Sequence, residues 1–220
     1  MTPSTAVDSL IRAVTEADSA EALVVATRRL AASGEVAAAS TLVRVLGYNN
    51  PGAAVAAVDG LIALGVQAVP ALLEQLDPRN YGARAWAVRA LAGIGDVRGL
   101  ALLEDALATD VGPSVRRAAA RGLGQLHLAD LSADQRASLR DRCLQALEAA
   151  IADGEWVVRY AVAAGLEALA LSSGNENPEA CSRARTALQR LAAADGTSNP
   201  DAAPVVQLRA RLALARLSPP

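Results

Sequence analysis

The side chains best suited to hold a ligand are an indole and two guanidinium groups. Trp86 and Arg89 are three residues apart in the segment 80–96, whose apolar residues recur with the period of an α-helix. The stripe that faces the core of this helix is predicted to be Val88, Leu91 and Ile94. Trp86 and Arg89 lie away from that stripe, and Arg121 takes the position of Arg89 in a later copy of the segment. A tryptophan and arginine forks outside the core predict contact with a ligand, a partner or a neighbouring element.

Aromatic residues make up only 2% of the chain, and most of them fall near the starts of predicted helices. Together with one asparagine, they are candidates for contacts with a ligand or a partner: Tyr48, Asn80, Tyr81, Trp156 and Tyr160. Packing between neighbouring helices is an equally good interpretation of the rings. Asparagine beside tyrosine in YNNP (48–51) and RNYG (79–82) also suits turn and capping geometry. These turns therefore either cap helices or form the rim of a cleft.

A second set of arginines is better explained by structure than by binding. Arg84, Arg116 and Arg159 share one position in three copies of the same segment. Asp110 precedes Arg116 by six residues, and Asp153 precedes Arg159 by the same number. Guanidinium groups make strong, directional hydrogen bonds to carboxylates. We therefore predict that this column forms a hydrogen-bonded ladder between successive repeats and stabilises the fold.

All these side chains are positioned by a sequence that repeats itself. Four segments follow one template, and their alignment places small residues in one column, at Gly60, Ala90, Gly122 and Gly165. The spacings of 30, 32 and 43 residues are typical of stacked helical units. A second amphipathic helix lies between the copies, so one repeat is a pair of helices. The sequence predicts an all-α, HEAT-like solenoid of about six antiparallel helix pairs.

We expect residues 1–220 to form a single α-solenoid domain. The strongest repeats span 35–170, and less regular pairs span 178–217. Polar loops rich in Gly, Asn and Pro are predicted at 172–178 and 195–200. A stack of this kind offers a long continuous surface and usually works by holding another molecule. Because the second helix of each repeat commonly lines the concave wall, the face that carries Trp86 is the candidate binding surface.

Composition and motifs argue against several classes of function. The formal net charge of −2 gives no general attraction to nucleic acid, although all 21 basic residues are arginines. Phosphate-binding, dinucleotide-binding and zinc-protease motifs do not occur. Cys143 and Cys181 lack the spacing of a metal site or a disulfide framework, and His127 has no nucleophile motif beside it. With no signal-peptide pattern and no apolar run of 18 residues, we expect a cytoplasmic protein without a metal site, membrane insertion or a nucleic-acid partner.

Three stretches of the chain resemble the E/F-type phycobilin lyases, which are built of short HEAT-like repeats. The longest is NYGARAWAVRALAGIGDVRGLALLEDALATDVGPSVRRAAARGLG (80–124), and the others are YNNPGAAVAAVDGLIALG (48–65) and WVVRYAVAAGLEAL (156–169). The resemblance covers the chain from about residue 8 to residue 170 and fades beyond it. The short N-terminal region and the overall length are similar to those of the F, or beta, subunit.

The resemblance implies that the chain pairs with an E-type subunit and attaches an open-chain tetrapyrrole, such as phycocyanobilin, to a cysteine of an apo-phycobiliprotein. The phycobilin is then a substrate, and no tightly bound cofactor is expected. The nucleophilic thiolate belongs to the acceptor protein, so the resemblance identifies no catalytic residue here. Trp86, Arg89 and Arg121 would hold the flat ring system and its two propionates, and we expect the partner subunit to cover the apolar end at 201–217. The alternative is a non-enzymatic HEAT-repeat scaffold or chaperone that binds phycobiliprotein subunits or detaches bilin.

Overall fold

The computed structural model describes residues 3–77, 79–173, 177–193 and 203–217, with side chains from Ala6 onward. Twelve α-helices and four single turns of 3₁₀ helix make up the regular structure of these ranges, and no strand occurs in them. The all-α prediction is therefore confirmed. None of the helices in the described ranges is long and apolar enough to cross a lipid bilayer.

The chain folds into two compact units that divide after Gly99. Unit 1 contains α1 (Pro3–Thr15), α2 (Ala20–Ala32), α3 (Ala39–Leu46), α4 (Pro51–Leu64), α5 (Val69–Glu74) and α6 (Tyr81–Ile94). Unit 2 contains α7 (Leu100–Thr109), α8 (Pro113–Leu123), α9 (Ala133–Ala149), α10 (Trp156–Ser173), α11 (Pro178–Ala193) and α12 (Pro204–Leu217). Each unit holds three of the six predicted helix pairs. A single solenoid over residues 1–220 stays a prediction.

Asparagine side chains fix where α4 and α6, two of the second helices of unit 1, begin. The Oδ1 atom of Asn50 accepts a hydrogen bond from the backbone N–H of Ala53 at 3.0 Å, and Pro51 opens the helix. The Oδ1 atom of Asn80 accepts from the N–H of Ala83 at 2.9 Å in the same way. Both asparagines satisfy backbone donors that the first turn of a helix leaves without a partner. The capping interpretation of the YNNP and RNYG turns is confirmed.

The second helices of unit 1 form a row in which α2 packs on α4 and α4 packs on α6. A methyl group added at Gly60 of α4 would lie 2.6 Å from the Cβ of Ala31 in α2. One added at Gly93 of α6 would lie 2.5 Å from the Cδ1 of Ile62 in α4. Small residues thus let neighbouring helices approach closely, and leucines fill the core between this row and α3 and α5.

Unit 2 repeats this arrangement with α8, α10 and α12. A Cβ at Gly165 of α10 would lie 2.6 Å from the carbonyl oxygen of Ala120 in α8. A Cβ at Gly124 would lie 2.5 Å from the Cα of Gly165, so the two backbones touch. The predicted small-residue column is therefore explained at Gly60 and Gly165 by helix packing. The predicted loop at 195–200, and residues 174–176 of the loop predicted at 172–178, lie outside the described residues.

Candidate functional site

Trp86 and Arg89 form a stacked pair on α6. The guanidinium carbon of Arg89 lies 4.5 Å from the centre of the Trp86 ring, within the range of a cation–π contact. Both side chains are half-buried, whereas the stripe on the other side of α6 is buried as predicted: Val88, Leu91 and Ile94. The pair therefore presents a flat aromatic surface and a permanent positive charge outside the core.

A groove of about 200 Å³ lies between α2 and α4. It is lined by Arg28, Ala31, Gly52, Val55, Ala56 and Asp59. Arg28 and Asp59 are exposed, and neither side chain forms a hydrogen bond or an ion pair within the described part of the chain. The groove thus offers one cation, one anion and the apolar side chain of Val55 to a molecule from outside.

The repeat register places this groove and the stacked pair on one surface. When Gly60 is aligned with Ala90, Asp59 of α4 corresponds to Arg89 of α6, and Ala56 corresponds to Trp86. Equivalent positions of neighbouring repeats face the same way, and α2, α4 and α6 pack side by side. We call this surface the α2–α4–α6 face and define it by Arg28, Val55, Asp59, Trp86 and Arg89.

The α2–α4–α6 face combines the groups that recognise a flat ligand with acidic substituents. Arginine forks match carboxylates, a carboxylate accepts hydrogen bonds from N–H groups, and an indole stacks on planar rings. Arg28 and Arg89 can bind carboxylates, Asp59 can accept hydrogen bonds from N–H groups, and Trp86 can stack on planar rings. The face is open, so a ligand longer than the groove has room to lie across it.

The remaining candidates of unit 1 lie at the helix starts. Asn80 uses both ends of its amide for the fold, because its Nδ2 also donates to the carbonyl oxygen of Gly47 at 3.5 Å. Asn50 repeats this contact and donates to the carbonyl oxygen of Ala20 at 3.0 Å. Tyr81 is 74% exposed, and Tyr48 is exposed as well.

The candidates of unit 2 are all exposed. Arg121 lies on α8, and Trp156 and Tyr160 lie in the first two turns of α10. The guanidinium carbon of Arg209 on α12 lies 5.9 Å from the centre of the Tyr160 ring. Trp156 and Tyr160 are 47% and 38% exposed, so part of each side chain is open to contact.

The predicted arginine ladder is present in unit 2. Nε and Nη2 of Arg116 donate to the Asp153 carboxylate at 2.8 and 3.0 Å, which joins α8 to the turn before α10. Arg116 also donates to the carbonyl oxygen of Asp110 at 2.9 Å, and Arg159 donates to that of Asp153 at 2.5 Å. The six-residue spacing of aspartate and arginine is thus a local contact, and the Arg116–Asp153 pair links one repeat to the next. Arg84, the third member of the column, is half-buried in α6.

Electrostatics agrees with this structural role. Burial alone would raise the pKa of Asp153, but the hydrogen bonds from Arg116 and from the N–H of Glu155 outweigh it. The charges of Arg116 and Arg159 act in the same direction, so the pKa of Asp153 lies below its ordinary value. The hydrogen bond to Asp153 also raises the pKa of Arg116.

The two cysteines are free thiols. Cys143 is fully buried in α9, where burial, together with the nearby charge of Glu104, raises the pKa of the thiol to about 12. It is therefore protonated at neutral pH and cannot act as a nucleophile. Cys181 is half-buried, and its Sγ donates to the carbonyl oxygen of Ala170 at 3.5 Å.

Comparison with known proteins identifies the fold and the family. The model of the HEAT repeats matches residues 49–124, from just before α4 to just after α8. The bilin biosynthesis protein RpcF of Synechococcus sp. strain WH8020 is 50% identical over 89% of this chain and 88% of its own length. The phycocyanobilin lyase subunit beta of Nostoc sp. strain PCC 7120 is 49% identical over 74% of this chain and 81% of its own. The chain belongs to the phycocyanobilin lyase beta-subunit family.

A solved relative extends the likeness to three dimensions. One chain in the structure of the complex of CpcE and CpcF of phycocyanin lyase from Nostoc sp. PCC7120 is 43% identical and superposes with a TM-score of 0.70. The match covers 81% of the present chain and 99% of that chain. A HEAT-like helical repeat is thus the fold of this member of the beta-subunit family.

Sequence reasoning missed one residue of the α2–α4–α6 face and one cluster in this family member. Arg28 was overlooked, although aligning Leu30 with Leu61 places it in the column of Asp59 and Arg89. The cluster lies in unit 2, where the buried carboxylate of Glu167 accepts hydrogen bonds from Arg209 and Arg216 of α12. No local spacing predicts that cluster, since Glu167 is more than 40 residues away from either arginine.

Proposed function

We propose that this chain is the beta, or F-type, subunit of a heterodimeric bilin lyase. Together with an E-type subunit, it attaches a phycobilin through a thioether to a cysteine of an apo-phycobiliprotein. Membership of the beta-subunit family carries the proposal, since half of the residues are shared with a bilin biosynthesis protein over most of both chains. The solved relative, which belongs to a CpcE–CpcF complex, supports an E-type partner.

The reaction is an addition, so it needs neither an oxidant nor a leaving group. The cysteine sulfur forms a bond to the ethylidene carbon of the bilin, the ethylidene double bond is consumed, and the thiol proton ends on the adjacent ring carbon. The acceptor protein supplies the thiol. The protonated, buried Cys143 takes no part in it, and the task of this chain is to hold and orient the bilin.

We assign the bilin to the α2–α4–α6 face. Arg28 and Arg89 bind the two propionates, Asp59 accepts hydrogen bonds from pyrrole N–H groups, and Trp86 forms an apolar wall. The groove of about 200 Å³ is smaller than the pockets of about 300–1,000 Å³ that enclose most drug-sized ligands. One end of the bilin therefore enters the groove, and the rest lies along the open face, where a second protein can reach it.

The candidates elsewhere, all exposed except the half-buried Asn80, are proposed as contacts with the bilin, the acceptor protein or the E-type subunit. They are Tyr48, Asn80, Tyr81, Arg121, Trp156 and Tyr160. The fold already uses the amide of Asn80, which makes this residue the weakest of the set. We place the protein in the cytoplasm of a phycobilisome-containing cell, with the bilin as its substrate and not as a resident cofactor.

The test is bilin transfer by the purified protein with its E-type subunit, phycocyanobilin and an apo-phycobiliprotein. Covalent product is measured on denaturing gels. We expect Arg89→Ala to reduce the transfer rate about 10-fold to 100-fold, because a charge-assisted hydrogen bond contributes about 1.5–3 kcal/mol. Its unfolding free energy should stay within about 1 kcal/mol of the wild type, because the lost cation–π contact with Trp86 contributes about 0.5–1 kcal/mol.

Arg12→Ala is the matched control, since Arg12 is an exposed arginine on α1, a helix that contributes no residue to the face. It should leave transfer unchanged. Trp86→Ala should alter the absorption spectrum of the bound bilin as well as the yield. Bilin binding without covalent product in the complete wild-type mixture would favour the scaffold or chaperone function instead.

A further inference from the structure

The last helix of unit 2 carries an apolar stripe on its outer side. Val205, Leu208 and Leu212 of α12 are 41%, 63% and 46% exposed, and Ala215 continues the line. Their spacing of three, four and three residues puts them on one face of the helix. The opposite face is buried against α10 and α11 through Val206, Ala210 and Ala213. The core therefore uses one side of α12 and leaves a second apolar side open.

Arginines border this stripe on both edges. At 100° per residue, Arg211 lies on one edge, and Arg209 and Arg216 lie on the other. The helix contains three arginines and no acidic residue. Arg211 is exposed and forms no ion pair within the described ranges. The outer side of α12 is thus an apolar seam with the exposed arginines Arg211 and Arg216 on its margins, which we call the α12 seam.

The fold holds the α12 seam in a fixed orientation. Glu167 of α10 is only 4% exposed, and its carboxylate accepts hydrogen bonds from both Arg209 and Arg216. Arg209 also lies over the Tyr160 ring, and Arg185 of α11 donates to the carbonyl oxygen of Leu217. These contacts fasten α12 along its length to α10 and at its end to α11. The seam cannot turn inward, because doing so would break the buried Glu167 contacts.

We propose that the α12 seam binds an amphipathic helix of the E-type subunit, whose apolar stripe is flanked by Asp or Glu. Helices pair in this way when apolar residues at three- and four-residue spacing meet and the flanking charges are complementary. A second copy of this chain fits poorly, because its identical seam would bring arginines against arginines. The proposal rests on the heterodimer of the proposed function and adds the surface through which it forms.

The place of α12 in unit 2 supports a partner that is itself built of helical repeats. The helices α8, α10 and α12 pack in a row, and α12 is its last member in the described part of the chain. In a stack of helical repeats, each apolar outer face is buried against the next helix of the row. A partner helix laid on the seam buries it in this way and continues the row across the subunit boundary.

The experiment measures the affinity of the full-length chain for its purified E-type subunit by calorimetry, in the absence of bilin. Leu208→Ser combined with Leu212→Ser should weaken binding at least about 30-fold, since the substitutions remove apolar surface that the partner helix would bury. The control combines Val66→Ser with Leu73→Ser, two exposed apolar residues of unit 1, and should change affinity less than threefold. Arg211→Glu should weaken binding about 3- to 10-fold and reduce its salt dependence.

The possible results test the α12 seam as a binding surface independently of the bilin-transfer activity. Wild-type affinity of the L208S/L212S variant, or no complex between the wild-type proteins, overturns the proposal. So does a homodimer of this chain that the same double variant abolishes, because a second copy would then occupy the seam. If the variant loses the partner as expected, the surface stands, even where the wild-type pair transfers no bilin. That last result would count against the lyase function alone.

Discussion

Replacing Arg116 with alanine should lower the unfolding free energy of unit 2 by about 3 kcal/mol. The substitution removes two hydrogen bonds to the Asp153 carboxylate and two to the carbonyl oxygens of Asp110 and Val111. The side chains of Arg116 and Asp153 are only 16% and 10% exposed. Breaking a buried ion pair costs about 3–5 kcal/mol, because the remaining charge stays buried without its partner. Because both side chains keep some contact with water, we expect the loss of unfolding free energy to lie at the lower end of that range.

The Arg142–Glu104 pair is the internal control for the effect of burial. It also joins two repeats of unit 2, with two hydrogen bonds between a guanidinium group and a carboxylate. Its side chains are 47% and 24% exposed, so water screens the charges and solvates whichever one remains. Exposed pairs contribute at most about 1 kcal/mol. Arg142→Ala should therefore destabilise unit 2 by less than about 1 kcal/mol.

Tryptophan fluorescence during urea unfolding can report on unit 2 alone. The chain has two tryptophans, Trp86 in unit 1 and Trp156 in unit 2, close to the ladder. In a Trp86→Phe background, the signal of Trp156 follows the unit that carries Arg116 and Arg142. Equal losses for the two alanine variants, or a loss below about 1 kcal/mol for Arg116→Ala, would refute the argument from burial.

The ladder also predicts a dependence on pH, whose sign follows from Asp153. Its pKa in the folded protein lies below the ordinary value of about 3.9, so its contribution is fully present above that value. The contribution is lost as the pH falls toward the folded pKa, where the carboxylate takes up a proton. The stability difference between the wild type and Asp153→Asn should be constant from pH 7 to about pH 5 and shrink below about pH 4. Urea midpoints across this range measure it.

Two further predictions concern packing and thiol chemistry in unit 2. Gly165→Ala should cost about 1–3 kcal/mol in urea unfolding, because the new methyl group would lie 2.6 Å from the Ala120 carbonyl oxygen, whereas Gly154→Ala, with no neighbouring atom within 4 Å, should be neutral. Cys143 should resist a thiol reagent at pH 8 until urea unfolds the protein, because its pKa is raised to about 12 and it is fully buried. Rapid labelling of the native thiol, located by mass spectrometry, would contradict this.

The helices and their pairing could be predicted because each helix end has a local cause. Asn50 and Asn80 cap the helices that follow them, and Gly95 ends α6 in a left-handed conformation. The Trp86–Arg89 stack could also be predicted, since a separation of three residues puts both on one side of a helix. These inferences use only the helical period and the chemistry of neighbouring residues.

The missed contacts depend on how distant segments pack. The aspartate that pairs with Arg116 is 37 residues away, beyond the longer helix α9, and the sequence pointed first to the nearby Asp110. Arg28 joins the α2–α4–α6 face only because α2 packs on α4. For α12, the sequence predicts only an apolar end at 201–217. The positions of Arg209 and Arg216 on one edge of the seam depend on their hydrogen bonds to Glu167, which is distant in the sequence.

The links between neighbouring repeats differ between the two units in how strictly they specify residue types. Asn50 and Asn80 each reach back to a main-chain carbonyl of the preceding repeat, at Ala20 and Gly47. Every residue type has a main-chain carbonyl, so this link does not depend on which side chain stands at the acceptor position. The Arg116–Asp153 link requires two particular side chains in different repeats, and a substitution of either one leaves the other without its ion-pair partner. A substitution at residue 20 or 47 therefore leaves the asparagine link in place, whereas the Arg116–Asp153 link is kept only when both side chains are kept.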